Sequence, residues 1–167
     1  MRQQAVTFEC KSILQDGSFV GLAATYGNVD LGNDVILPGA FTKTLAERRG
    51  EFPLLMGHDL RAPIGSATVT DSPQGLVVKG SLCFGAEGAA SAYALLKRGV
   101  LKGLSIGYDS LKSTIQNGVR HLSEIKLYEI SLTAFPMNEM ATVQSVKSEA
   151  DQIRMFRNLL AECKRSF

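Results

Sequence analysis

GLSIGYDSLKSTIQNGVRHLSEIKLYEISLT, residues 103–133, is the stretch on which the fold turns. Asn117-Gly118 at its centre is the residue pair that most favours a type I′ hairpin turn, so the runs on either side of it read as neighbouring strands of one sheet. In the first run Leu104, Ile106 and Tyr108 face one way, and Ser105 faces the other with its two glycines. Gly103 and Gly107 carry no Cβ, which lets a polypeptide backbone approach the Ser105 hydroxyl as a nucleophile requires; equally, such glycines can mark only a bulge or a crowded crossing. In the second run, period-two alternation sets Glu129 on the face of Ile125 and Leu127, with Lys126 opposite. A carboxylate on an apolar face needs a partner, either a histidine or an arginine such as Arg61.

Working outward, the chain before this hairpin is mostly short alternating runs separated by turn residues. Ala5 to Cys10 and Phe19 to Tyr26 flank Gln15-Asp16-Gly17-Ser18, a hairpin signal. Ile64 to Thr70 and Leu76 to Phe84 flank Asp71-Ser72-Pro73-Gln74-Gly75. Phe52 to Met56 is a compact apolar run broken by Pro53, which predicts an edge strand ending at Gly57-His58-Asp59. Two short helices interrupt the pattern: residues 40–49, with a cationic last turn and Gly50 as a stop, and residues 86–98, with Ala89, Ala92, Tyr93 and Leu96 on one face and Gly99 beyond the end. After the 103–133 stretch come a turn at Phe135-Pro136-Met137-Asn138 and a final strand from Ala141 to Val146. The tail places Ile153, Phe156, Leu160 and Cys163 at helical spacing behind a Ser148/Asp151 cap, an amphipathic helix with its own barrel or a second copy as its docking surface. Many short strands with few helices predict a mainly β, α+β fold: an antiparallel barrel, closed or partly closed, with helices at its periphery.

Bulk properties narrow the function. A chain of 167 residues, 45% hydrophobic and 20% charged, fits one globular domain. Its net charge of +2 is spread without a basic block, which argues against nucleic-acid binding. Cys10, Cys83 and Cys163 form no CxxC pair and have no nearby histidines, so neither a disulfide framework nor a metal site is expected, and a reducing cytoplasm is the expected home. No secretory signal is visible at Met1 to Thr7, and no apolar run nears the roughly 20 residues of a membrane span.

A serine nucleophile needs a base, usually an imidazole oriented by a third group. The chain has two histidines. His58 follows a strand at a glycine turn where its ring can project into a cleft. His121, beside the Asn117-Gly118 turn, also reads simply as a solvated hairpin residue.

Pro38-Gly39-Ala40-Phe41, Gly57-His58 with Ile64-Gly65 downstream, Gly103 to Tyr108, and Glu129-Ile130-Ser131-Leu132 followed by Pro136 and Ala141 occur in order. From about residue 20 to residue 147 the chain thus resembles the prohead (capsid maturation) serine proteases of tailed bacteriophages of the HK97 type. The resemblance implies a β-barrel related to the herpesvirus assemblins, spanning residues 1–147, with 148–167 as the appended helix and a processed tail. It implies Ser105 as nucleophile, His58 as general base and Glu129 as third member. His121 is the alternative third member, because the herpesvirus branch uses a second histidine. Chain order suggests backbone donors at Phe135, Met137 and Asn138 for the oxyanion. No cofactor is implied; the expected partners are the scaffold segment of a capsid protein, the protease itself and another copy, in the host cytoplasm inside an assembling procapsid. Two rivals stand beside this reading. One is a non-catalytic assembly module. The other is an esterase, since Gly103 to Gly107 matches G-x-S-x-G, although that elbow requires a helix after the serine and a histidine later in the chain.

Overall fold

The computed structural model describes residues 16–144. The expected strand from Ala5 to Cys10 and the tail helix from Ser148 lie outside the described residues. Within them the order is β1 (Ser18–Thr25), β2 (Asp34–Ile36), α1 (Thr42–Arg48), β3 (Glu51–Met56), β4 (Pro63–Ser72), β5 (Gly75–Leu82), α2 (Ala89–Lys97), β6 (Gly103–Gln116), β7 (Val119–Thr133) and β8 (Val143–Gln144). The mainly β class with peripheral helices is as expected.

One mixed sheet contains all eight strands, running β2-β7-β3-β4-β5-β1-β8, with β6 on β7. Its ends meet. Val20 and Gly21 of β1 pair with β8, and Leu22 N–H donates to Thr142 O at 3.0 Å. From the other side Leu104 N–H donates to Ala141 O at 3.0 Å, and Val143 N–H to Lys102 O at 2.9 Å. Residues 141–143 therefore form a seam joining β1 to the start of β6, which closes the sheet on itself and removes its edges there. Gly21 is demanded by this seam: a Cβ on it would come within 2.6 Å of Leu104 Cδ1 and of Thr142 O.

β7 organises the sheet. β6 pairs with it antiparallel through the Asn117-Gly118 hairpin, both residues having positive φ (50° and 79°), as a type I′ turn requires. On its other side it meets β2 in parallel at residues 120–122 and β3 in parallel at residues 130–132. The gap between these two ladders is filled from α1 and the turn before it. Ile125 N–H donates to Ala40 O at 2.9 Å, and Leu127 N–H donates to the buried Thr44 Oγ1 at 3.1 Å. The backbone of β7 is thus satisfied along most of its length.

One expectation is corrected: β3 is an interior strand, between β7 and β4, not an edge. Pro53 does not prevent this, because it pairs opposite Ser66 of β4 while the parallel ladder with β7 begins only at Leu54, so its missing N–H interrupts no rung there. The two parallel pairings are also invisible to residue alternation, which does not report strand direction. Inside the barrel, Phe19, Phe41, Leu54, Ile64, Leu76, Leu96, Leu104, Leu122, Ile125, Leu127, Ile130 and Leu132 are fully buried. Ala89, Ala92 and Leu96 are the buried face of α2, as the spacing predicts, and Tyr93 is partly buried at the rim.

The short β2 is fastened by charge. The buried Asp34 takes a two-pronged contact from Arg120, Nε to Oδ1 at 2.7 Å and Nη2 to Oδ2 at 2.5 Å, and a third hydrogen bond from the Tyr108 hydroxyl at 3.1 Å. Arg120 holds the Asp34 carboxyl below the usual carboxylate range, while burial and then Asp34 itself push the Tyr108 hydroxyl up to about 12. A depressed folded-state pKa gives stability that is present above the unfolded value of about 3.9 and is lost as pH falls through the folded value. Arg120→Ala should therefore cost about 2 kcal/mol at pH 6, moderated because the Arg120 side chain is 47% exposed. Urea denaturation should show that cost shrinking progressively as pH is lowered below the unfolded value of about 3.9.

Candidate active site

Glu129 is a carboxylate 3% exposed. Alternation predicts it on the face of Ile125 and Leu127, but the register corrects this: Gly107 pairs with Glu129 and the next residue, Tyr108, with Leu127, so a bulge at Tyr128 turns Glu129 to the face of Ser105 and Gly107, opposite Leu127. Both of its oxygens are engaged. Oε1 lies 2.6 Å from His58 Nδ1, and Oε2 accepts a 2.7 Å hydrogen bond from the buried Ser131 Oγ. The arginine alternative is excluded by geometry: Arg61 pairs instead with Asp59 on the exposed surface.

His58 reaches this carboxylate because of where β3 ends. The parallel ladder fixes Met56 opposite Leu132, and Gly57 N–H donates to Leu132 O at 3.0 Å. The chain then reverses through two successive residues of positive φ, Gly57 at 56° and His58 at 66°. A left-handed residue with a side chain is uncommon and clusters at functional positions. This one is held by its own N–H, which donates to Ser131 Oγ at 3.0 Å. The ring has its Nδ1 against the acid, while 43% of the side chain remains exposed. A carboxylate at Nδ1 selects the tautomer with the proton there, which leaves Nε2 as the proton acceptor.

Ser105 is opposite Ser131 in the β6–β7 ladder, and Gly107 is opposite Glu129. Ser105 and His58 line one cleft of about 140 Å³ with Ala23, Ala24, Leu104 and Tyr108 among its walls. The three residues expected to work together are thus gathered at one place: hydroxyl and imidazole on the cleft, acid behind the imidazole. His121 is not part of it. It pairs with Val35 and Thr114 near the far end of the long hairpin.

Of the two readings the glycines beside Ser105 allow, the crowded crossing is the one seen here. A Cβ on Gly107 would overlap Glu129 Oε1 and come within 2.8 Å of its Cγ; one on Gly103 would come within 2.6 Å of Pro136 Cδ. They make room for the acid and for the turn after β7. A bulge follows Gly107, which shifts the register before Tyr108.

The expected oxyanion turn divides. Met137 and Asn138 line the cleft; Phe135 does not, its ring is 92% exposed, and its N–H donates to Thr133 Oγ1 at 3.1 Å. The Asn138 side chain is a fastener, donating to Thr25 Oγ1 at 2.7 Å and accepting from Met140 N–H at 3.0 Å and from Asn28 Nδ2 at 3.2 Å. The esterase elbow is absent, since β6 continues as strand from Ser105 to Gln116. Ser131 was not singled out for a role from sequence, although the alternation that marks Glu129 marks it too.

This β-barrel is the class of fold seen in herpesvirus proteases. The structure of KSHV protease in complex with a hexapeptide phosphonate inhibitor matches with a TM-score of 0.55 at 15% identity, covering 87% of this chain and 76% of that one. Sequence is more specific: residues 6–156 match the caudovirus prohead serine protease family, and the chain belongs to it. The prohead protease of Enterobacteria phage HK97 is 34% identical over 150 residues, 87% of this chain and 66% of that protein. The prohead protease of Escherichia phage T5 is 31% identical over 98 residues, 57% of this chain and 46% of that protein. The chain therefore spans just under two thirds of the first relative and under half of the second.

Packing of Gly107 against Glu129 has a measurable signature. Gly107→Ala should destabilise by about 2 kcal/mol, the scale of forcing an extra carbon into a filled site. In a Glu129→Ala background the same change should cost much less, a coupling that denaturation of the four proteins measures directly.

Proposed function

We propose that this protein is a serine endopeptidase that cleaves capsid-protein scaffold segments, and itself, during procapsid maturation in the host cytoplasm. The observation that carries this is the cleft lined by both Ser105 and His58, with the imidazole held at Nδ1 by the buried Glu129. His58 Nε2 takes the Ser105 proton as the hydroxyl attacks a peptide carbonyl, then returns it to the leaving amine. Glu129 keeps the ring in the accepting tautomer and stabilises its charged form. Met137 and Asn138 line the same cleft, and we assign their backbone N–H groups as donors to the developing oxyanion. Membership of the prohead protease family supports a structural protein of the procapsid as substrate. Self-cleavage makes the segment after Lys147 a processed tail, which intact-mass measurement of protein incubated at high concentration would detect.

The test is a serine-directed fluorophosphonate probe with peptide mapping, beside a peptidase assay on the capsid protein. Wild type should label at Ser105. Ser105→Ala should not label, and His58→Ala should lose turnover by about 10⁴-fold or more, the scale of triad residues. A folded wild type, assayed across concentrations that cover its oligomeric states, that never labels and never cleaves would instead identify a non-catalytic assembly module.

A further inference from the structure

Ser131 carries two hydrogen bonds that no other described residue duplicates, and they join the two groups on which the chemistry depends. Its side chain is fully buried. The hydroxyl donates to Glu129 Oε2 at 2.7 Å and accepts from the backbone N–H of His58 at 3.0 Å. We infer that Ser131 is a positioning residue, a fourth member of the site that aligns acid and imidazole together. The inference rests on the serine-protease reading of the cleft.

Each bond answers a separate physical need. A carboxylate with one free oxygen can rotate about its last torsion and offer either oxygen to the imidazole. Ser131 occupies Oε2 and so commits Oε1 to Nδ1. The His58 N–H, for its part, belongs to a left-handed residue just past the end of β3, where the β3–β7 ladder has stopped at Met56 and Leu132. Without that acceptor the His58 N–H loses its partly buried hydrogen bond, and the φ of 66° loses what holds it. One hydroxyl thus sets the rotamer of the acid and the backbone of the base. Alternation along β7 makes this possible, because residues 129 and 131 share a face, and Ser105 lies directly across from Ser131 on β6. Only a small side chain with both a donor and an acceptor fits the role.

The test compares wild type with Ser131→Ala and Ser131→Cys, the thiol being similar in shape and a weaker hydrogen-bonding group. Three quantities are measured: melting temperature, the fluorophosphonate reaction resolved into its binding constant and its maximal rate, and the low-field proton resonance of a histidine Nδ1–H held against a carboxylate, assigned with His58→Gln. In folded Ser131→Ala the maximal rate should fall about 10- to 100-fold with the binding constant unchanged, the equivalent of one hydrogen bond to a charged group. Its low-field resonance should move or broaden, and Ser131→Cys should be intermediate in both. Wild-type rate and resonance in folded Ser131→Ala overturn the inference, as does a failure of both variants to fold, which would make Ser131 a residue of the core. If wild type itself does not react, the protease reading fails, and the resonance alone still decides whether Ser131 aligns the histidine with the acid.

Discussion

A carboxylate taken out of water has to be met by donors, and the burial of Glu129 sets the terms for everything around it. The imidazole of His58 takes one oxygen and the hydroxyl of Ser131 the other. The space the acid occupies is space that Gly107 leaves vacant. None of these residues is near another partner in sequence except Ser131, so the sheet must bring them together. It does so through β7, which carries the acid, faces the serine's strand on one side and ends the histidine's strand on the other.

That arrangement explains why the barrel is of mixed direction. An antiparallel hairpin alone would set Ser105 and Glu129 on one face with no imidazole beside them. The parallel entry of β3 places its C-terminal end, and therefore the turn at Gly57-His58, level with Leu132 rather than at the far end of the hairpin. α1 and Ala40 then occupy the portion of β7 that neither parallel strand reaches, so the backbone of the central strand is paired without lengthening β2 or β3. The Asp34–Arg120 contact secures the three-residue β2, which is too short to be held by its ladder alone.

Much of this is legible in the residues. The Asn117-Gly118 turn fixes the β6–β7 hairpin because only a few residue pairs accept positive φ twice. Glu129 is buried as its apolar surroundings in sequence predict, but a bulge at Tyr128 sets it on the face opposite Leu127, which strict alternation does not report; the two-residue hairpin at Pro73-Gln74 is signalled by its turn residues. What was not legible depends on through-space packing. Proline chemistry suggested an edge at β3, yet the strand is interior because its second ladder starts one residue after Pro53. The glycines around Ser105 admit two readings from sequence, an approach for substrate or a crowded crossing, and the crowding by the acid and by Pro136 matches the second. A missing Cβ says that something comes close, and only the fold says what. Ser131 went without a role because a lone serine on a strand carries no local signal; its meaning comes from the two partners it bridges. Phe135 was grouped with its neighbours by chain order, which cannot separate residues of one turn that face opposite ways.

The seam at residues 141–143 has a mechanical implication. It is stitched to β1 on one side and to Leu104, the residue before Ser105, on the other. The polypeptide leaving Gln144 is consequently tethered to the strip that shuts the barrel beside Ser105. Tension on that exit meets Val20 first, which pairs with Gln144, then Lys102 through Val143, and reaches Leu104, the neighbour of Ser105, only through Ala141.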